Sequence, residues 1–257
     1  MIGTDGRLHC RQKEAIAVNY QTTFERYEMK YLLTRAQKER ILHAMRPYMC
    51  VDQYGRTTIR NLYFDTDSFR LIRRSLEKPA YKEKLRIRSY GVPAPEDPVF
   101  VELKKKYKSV VYKRRLVLPQ AQAMASFLGG TPLPVHSQIA EEIEYFRAYY
   151  QTLHPTVFLS YEREAYAALD GGDFRVTFDE NLLYRTGELS LAGEAYGIPL
   201  LAPGQTLMEV KTAYGMPLWM SHVLTEQHVY KNSFSKYGSA YEDMLTMNPK
   251  GGKYEHV

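Results

Sequence analysis

Charged and apolar residues alternate with a period of two along eight segments of this chain, and no other feature constrains the fold as strongly. Successive side chains of a β-strand point to opposite faces of a sheet, so this alternation predicts strands with one apolar and one charged face. The predicted strands are Phe24–Leu33, Thr57–Phe64, Lys82–Tyr90, Val99–Tyr107, Val110–Leu118, Val157–Leu169, Phe174–Leu183 and Thr206–Thr212. Eight strands are enough to close a barrel.

Helix signals separate the predicted strands. Thr34 with Gln37 three residues later has the spacing of a capping box, and a proline opens the predicted helix Pro217–His228. The other predicted helices are Ser68–Leu76, Gln120–Leu128 and Ser137–Leu153. The turn Asp170–Asp173, with two central glycines, predicts a hairpin and therefore antiparallel pairing. The expected class is α+β, with an antiparallel β-barrel tunnel of about eight strands and surrounding helices.

No linker, repeat or low-complexity segment divides the chain. The sequence predicts a loosely ordered N-terminal tail over residues 1–22, one domain over 23–247 and a disordered C-terminal tail over 248–257. Cys10 and Cys50 lack the spacing of a disulfide framework or a zinc site, which favours a reduced, cytoplasmic setting. No apolar run approaches the ~20 residues that a membrane-spanning helix requires.

The charged faces of the predicted strands carry an excess of cations. The chain has 35 Lys and Arg against 29 Asp and Glu, a net charge of +6. Residues that share a face within one strand include Lys82, Lys84, Arg86 and Arg88, then Glu102, Lys104 and Lys106, then Lys113 and Arg115. The solvated side of an ordinary antiparallel sheet is one explanation. Like charges opposite each other destabilise a sheet, however, so a barrel with this face inward favours an anionic ligand.

Phosphorylated ligands and metal ions suit such a channel. Arginine forks bind phosphate oxygens in pairs, and lysines supply point charges. Glu209, together with Glu28 or Glu102, offers hard oxygen ligands for Mg²⁺ or Mn²⁺. The seven histidines lack the spacing of metal ligands. The sequence also contains no P-loop motif, so a nucleotide would bind without a P-loop. Tyrosines interleaved with cations also keep an RNA- or polyanion-binding module open.

Nine short motifs follow one another along the body of the chain. They are Tyr27–Tyr31, Leu62–Thr66, Leu85–Gly91, Val101–Lys104, Lys113–Arg115, Tyr161–Tyr166, Phe174–Asp179, Met208–Lys211 and Phe234–Tyr237. In this order they resemble the catalytic domain of VTC-type polyphosphate polymerases, within the CYTH-like triphosphate tunnel metalloenzymes. The resemblance implies that ATP donates its γ-phosphate to a growing polyphosphate chain inside the tunnel.

The resemblance also implies roles for single residues. It places a divalent metal, commonly Mn²⁺ with Mg²⁺ as the alternative, on Glu209, and catalytic functions on Lys211, Ser235 and Lys236. The implied phosphate path comprises Lys30, Arg86, Arg88, Lys104, Lys113, Arg115, Arg163 and Arg175. Arg26 stands where the wider superfamily carries the first glutamate of Glu-x-Glu-x-Lys, which favours polymer synthesis over hydrolysis.

Three functions stay open from the sequence: a metal-dependent polymerase, a noncatalytic sensor of polyphosphate or triphosphates, and an inorganic triphosphatase. The expected ligands are ATP and polyphosphate, and nucleic acid is not expected. Family members in eukaryotes work beside membrane subunits, so the resemblance implies a membrane-protein partner and membrane association through it.

Overall fold

A computed structural model describes residues 27–108 and 110–247. The two predicted tails and Arg26 lie outside the described residues. The strands are β1 Tyr27–Leu33, β2 Met49–Asp65, β3 Tyr81–Tyr90, β4 Pro98–Tyr107, β5 Val110–Pro119, β6 His154–Ala168, β7 Arg175–Arg185, β8 Ile198–Pro199, β9 Thr206–Thr212 and β10 Lys231–Asn232. The helices are α1 Arg35–Met45, α2 Arg70–Leu76, α3 Gln120–Leu128, α4 Gln138–Tyr150, α5 Leu218–Glu226 and α6 Lys236–Met247.

These strands form one antiparallel sheet in the order β10-β1-β9-β7-β6-β2-β3-β4-β5, with β8 paired to β7. The eight long strands correspond to the eight predicted ones, so the α+β class with a tunnel of antiparallel strands is confirmed. Within the described residues, β5 and β10 end the sheet without pairing to each other. Side chains close the gap instead. Lys104 Nζ of β4 lies 3.7 Å from Glu28 Oε2 of β1, and Lys84 Nζ of β3 donates to Ser235 Oγ at 3.2 Å.

The apolar face of the sheet points outward and lies beneath helices. Helices α1 and α5 cover one half, where they bury Val176 and Met208, and α3 and α4 cover the other half, where they bury Leu85 and Leu103. Burial of one large aliphatic side chain stabilises the fold by about 1.5–3 kcal/mol. The apolar faces therefore fix the opposite, charged face toward the inside of the tunnel.

Helix α6 fills one end of the tunnel. Its Tyr237 and Tyr241 pack in an apolar cluster with Leu207 of β9, and the Tyr237 ring stacks on Tyr63 of β2 at 4.7 Å between centroids. The first residue of α6, Lys236, consequently faces the charged part of the inner surface.

Two local predictions are confirmed in detail. Thr34 caps α1 through a reciprocal pair, in which Gln37 N donates to Thr34 Oγ1 at 3.3 Å and Thr34 N donates to Gln37 Oε1 at 2.9 Å. The turn Asp170–Asp173 joins β6 to β7, which pair antiparallel. None of the helices formed by the described residues has the length and apolar character of a membrane-spanning segment.

Four elements differ from the prediction, two of which are the unpredicted two-residue strands β8 and β10. β2 begins at Met49, eight residues before the predicted Thr57. Its first residues were missed because a register irregularity between Val51 and Arg56 interrupts the period-two pattern. Helix α6 was not predicted at all. Its apolar residues Tyr237, Ala240, Tyr241 and Met244 have the spacing i, i+3, i+4, i+7, which is the signal that identifies such a helix.

Candidate active site in the tunnel

Glu209 on β9 is the middle of a buried cluster of cations. Register places it opposite Lys30 of β1. Lys236 Nζ lies 2.7 Å from Glu209 Oε1, and Arg163 Nη2 of β6 lies 3.3 Å from Oε2. The ammonium nitrogens of Lys30 and Lys211 lie 3.6 and 3.5 Å from the same carboxylate. We call these five residues the Glu209 centre.

Asp179 on β7 holds two of these cations in place. Arg163 donates to both oxygens of Asp179 at 2.6 Å, and Lys236 Nζ lies 2.6 Å from Oδ2. The Asp179 side chain is fully buried, and a two-point guanidinium–carboxylate contact fixes orientation as well as distance. The sequence placed Asp179 on the inner face without a role. The cross-strand pairing of Asp179 with Arg163 is the observation that assigns Asp179 its role.

The surrounding cations keep Glu209 ionised. Burial opposes ionisation, but Lys236, Lys211, Lys30 and Arg163 outweigh it and hold the pKa of Glu209 well below its usual value. For Lys236 burial opposes the charged form as well, yet Asp179 and Glu209 raise its pKa above the ordinary lysine value. Lys236 is therefore a fixed positive charge at neutral pH and is not suited to exchange protons.

Glu102 on β4 forms a second buried centre. Arg86 of β3 donates to Oε2 at 2.8 and 2.7 Å, and Arg115 of β5 donates to Oε1 at 2.9 and 2.6 Å. Lys113 Nζ lies 2.7 Å from Oε1, and Arg88 Nε lies 3.8 Å from Oε2. We call these five residues the Glu102 centre. Cations contact both oxygens of Glu102, so its carboxylate orients Arg86 and Arg115; a metal on Glu102 stays a prediction.

Tyr161 on β6 lies between the two centres. Its hydroxyl accepts a hydrogen bond from Arg88 Nη2 at 3.3 Å, and its ring centroid is 4.7 Å from Lys236 Nζ and 5.1 Å from Arg163 Cζ. Burial raises the pKa of Tyr161, but these three cations outweigh burial and lower it. The two centres thus share one continuous positive field.

A cavity of 1090 Å³ opens beside the Glu209 centre, at the start of β3 and the end of β4, and residues of α6 form part of its wall. The lysines that line it are Lys30, Lys78, Lys82, Lys84, Lys104, Lys106, Lys108 and Lys231. The acidic residues that line it are Glu28, Glu83 and Glu242. We call this cavity the lysine mouth. Its excess of positive charge suits a ligand with several negative charges.

Residues 25–245 match the model of one protein family, the VTC domain. The chain belongs to the VTC domain family. A search of curated proteins found no match.

Solved structures resemble this VTC domain at low sequence identity. A Hippeastrum protein, named as an adenylyl cyclase with a dominant triphosphatase activity, has a TM-score of 0.51 and 15% identity, over 90% of this chain and 99% of that one. Proteins named as adenylate cyclases from Vibrio parahaemolyticus and Bacillus halodurans give TM-scores of 0.47 and 0.45 at 12% and 14% identity. These matches cover 88% and 90% of this chain and 99% and 92% of those chains.

Glu28 and Glu209 are the carboxylates of the VTC domain that fit a shared metal ion. Lys30 Nζ lies 3.6 Å from Glu28 Oε1 and 3.6 Å from Glu209 Oε1, so a cation already bridges the pair. Residues 27–108 and 110–247 contain no group of three His, Cys, Asp or Glu side chains placed to hold a metal. Proteins commonly hold Mg²⁺ through one or two carboxylates plus substrate phosphates. The residues present fit an ion that arrives with a phosphate.

The structure brings the predicted site residues together with one exception. Lys104 and Ser235 line the lysine mouth, and the other predicted residues belong to the two centres. Arg175 is the exception, since its exposed side chain stands at the start of β7, opposite Lys211. Lys84 shares the inner face and contacts Ser235, but the resemblance did not assign it a role.

Proposed function

We propose that this VTC domain is a polyphosphate polymerase that transfers the γ-phosphoryl group of ATP to the end of a polyphosphate chain. One observation carries the proposal: the Glu209 centre adjoins both the arginine-rich Glu102 centre and the wide lysine mouth. Such a tunnel has cationic surface for a nucleoside triphosphate and for a second polyanion at the same time. Binding of two polyanions end to end is what polymer growth requires.

In this reaction a terminal oxygen of the polyphosphate attacks the γ-phosphorus of ATP. A new P–O bond forms, the bond from the γ-phosphorus to the β–γ bridging oxygen breaks, and ADP leaves with the electron pair. With ionised phosphates the step needs no proton transfer. Phosphoryl transfer therefore depends on alignment and on neutralisation of charge at the transferred group.

The protein's own residues supply both requirements. Lys236 and Arg163, locked by Asp179, present fixed positive charge to the transferred group. Arg86 and Arg115, oriented by Glu102, present guanidinium groups for phosphate oxygens. A Mn²⁺ or Mg²⁺ ion held by Glu209 and Glu28 would add charge neutralisation on the bound phosphates. Lys30 would then turn from these carboxylates to a phosphate.

An inorganic triphosphatase is the second candidate, and one observation favours it. The Hippeastrum protein, which shares this fold, is described with a dominant triphosphatase activity. In that case water would replace the polyphosphate end as the nucleophile in the same tunnel.

One incubation separates the candidates. Purified protein is supplied with ATP and Mn²⁺, or with tripolyphosphate and Mn²⁺, and polymer, ADP and free phosphate are measured. The polymerase produces polymer and ADP, whereas the triphosphatase releases phosphate without polymer. A sensor binds either compound and forms no product. Absence of both polymer and ADP with Mn²⁺ and with Mg²⁺ would contradict the polymerase proposal.

The membrane-protein partner, the cytoplasmic setting and the exclusion of nucleic acid rest on the sequence and the family resemblance alone. We propose them on that basis. Co-purification of a membrane protein from detergent-solubilised cells tests the first, and competition between RNA and polyphosphate for the purified domain tests the last.

A further inference from the structure

The type of cation changes along the tunnel. From the mouth inward, β3 presents Lys82 and Lys84 and then Arg86 and Arg88, and β5 presents Lys113 and then Arg115. The side chains that line the lysine mouth include no arginine within the described part of the chain. The inner part of β3 and β5 and the mouth therefore offer phosphates two chemically different surfaces.

The mouth is also poorly neutralised. Register places Lys82 directly opposite Lys106 and Lys84 opposite Lys104, and like charges in such pairs destabilise a sheet. Burial, with Lys106, Lys104 and Lys78 adding to it, lowers the pKa of Lys82. In residues 27–108 and 110–247, neither Lys82 nor Lys106 has a carboxylate within ion-pair distance, and Lys82 donates instead to the Ser75 carbonyl at 3.2 Å. A bound polyanion would relieve this repulsion.

Lysine and arginine hold phosphate differently. The guanidinium fork grips two oxygens in a fixed geometry, while the ammonium is a hydrated point charge on a flexible stem. A surface of lysines attracts phosphates without fixing which phosphate lies at which residue. Such a surface suits a chain that must advance by one phosphate after each transfer.

The lysine surface extends beyond the reacting site. From Lys104 on β4 to Lys108 in the turn that follows it, the chain extends roughly 14 Å, at about 3.4 Å per strand residue. Lys78 and Lys82 line the facing part of the same cavity. This length adds to the binding surface of the two buried centres.

We propose that Lys82 and Lys106, with Lys78 and Lys108 beside them, form a subsite for the distal phosphates of a long polyphosphate chain. The subsite retains the chain between transfers while allowing it to slide, and it selects long chains over short phosphates. The inference rests on the proposed function, because it assigns the mouth to that polymer.

The test compares the affinity of the protein for two probes, tripolyphosphate and long-chain polyphosphate. The variant Lys82→Gln/Lys106→Gln is expected to lose about tenfold in affinity for the long chain, and its log–log salt slope is expected to fall by about 1–2, as for loss of two phosphate contacts. Its affinity for tripolyphosphate is expected to stay within about twofold of wild type. The mutation removes a repulsive pair, so melting temperature is expected to be retained.

Two matched variants serve as controls. Lys82→Arg/Lys106→Arg keeps the charge and is expected to keep the affinity for the long chain. Arg40→Gln/Arg46→Gln removes the same charge from exposed positions on and after α1, away from the mouth, and is expected to bind both probes normally.

The outcomes separate this subsite from the function on which it rests. Equal losses for both probes, no loss for either, or an equal loss in Arg40→Gln/Arg46→Gln would overturn the subsite. Wild-type protein that binds tripolyphosphate but not long polyphosphate also overturns it. Wild-type protein that binds neither probe overturns the proposed function together with the subsite. If the long-chain loss occurs in a protein that makes no polymer, the subsite is supported and the polymerase is not.

Discussion

Lys236 Nζ, on the first residue of α6, lies 2.7 Å from Glu209 Oε1 on β9. The contact joins the helix that fills one end of the tunnel to the carboxylate at the centre of the site. Removing one partner of a buried ion pair leaves an uncompensated charge, which is costly. Docking of α6 and the charge balance of the Glu209 centre are therefore coupled.

Replacement Glu209→Gln removes the central carboxylate with little change of shape. We expect phosphoryl transfer to fall by at least about 100-fold, in line with the loss of a preorganised electrostatic group. Lys236, Lys211 and Lys30 then lose their shared counter-charge, which Asp179 and Glu28 replace only in part, so the melting temperature is expected to fall. ADP formation and thermal melting measure the two effects.

Glu226→Gln is the matched control, since Glu226 is exposed at the end of α5 and lines neither the lysine mouth nor the two centres. It is expected to retain activity and stability. If Glu209→Gln and Glu226→Gln have the same activity, Glu209 does not have the role proposed here.

Replacement Asp179→Asn tests how far the fold depends on one buried carboxylate. Asp179 neutralises both Arg163 and Lys236, so its loss is expected to lower the free energy of unfolding by about 3–5 kcal/mol. Glu142→Gln is the comparison, because its pairs with Arg114 and Lys105 are partly exposed to solvent. For Glu142→Gln we expect the free energy of unfolding to fall by about 1 kcal/mol or less. Equal losses in denaturant titrations of the two variants would contradict the assignment.

The strands that carry the site were predictable because their signal is local. Lys82–Tyr90 was predicted and β3 is Tyr81–Tyr90, with the alternation assigning Lys84 and Arg86 to the inner face correctly. The apolar partners of that alternation, such as Leu85, lie under α3 and α4 as expected.

The contacts within the site were not predictable, because they depend on strand register and on order in the sheet. Glu102 meets Arg86 and Arg115 across two strand pairs, and nothing within its own strand indicates that arrangement. Asp179 likewise meets Lys236, which lies 57 residues away along the chain on the unpredicted helix α6. Residue chemistry was visible from the sequence, whereas pairing was not.

Binding of tripolyphosphate is expected to depend on pH near neutrality. Burial, together with Lys30, Lys104, Lys82 and Arg86, lowers the pKa of Lys84 to about 7. A bound polyanion favours the ammonium form, so the pKa of Lys84 is higher in the complex than in the free protein. The complex then binds more protons than the free protein above pH 7, and affinity is expected to fall as pH rises through that range.

Isothermal titration calorimetry in two buffers of different ionisation enthalpy measures this proton uptake. Lys84→Arg keeps the charge at every relevant pH, so it is expected to reduce the uptake while preserving binding. Lys113 is expected to contribute the proton uptake that remains in Lys84→Arg, because burial lowers the pKa of Lys113 to about 7 despite the opposing effect of Glu102. Equal apparent enthalpies in both buffers would show that no proton is taken up.

The hydroxyl of Tyr237 is expected to secure α6 in the tunnel. It donates to Asp65 Oδ2 at 3.0 Å and lies 3.0 Å from Thr156 Oγ1. Replacement Tyr237→Phe keeps the stack on Tyr63 but removes these bonds, so we expect about 1–3 kcal/mol less free energy of unfolding. Tyr145→Phe, at an exposed position on α4, is the matched control and is expected to be neutral. Urea unfolding measures both variants, and an unchanged midpoint in Tyr237→Phe would mean that packing alone holds α6 against the tunnel.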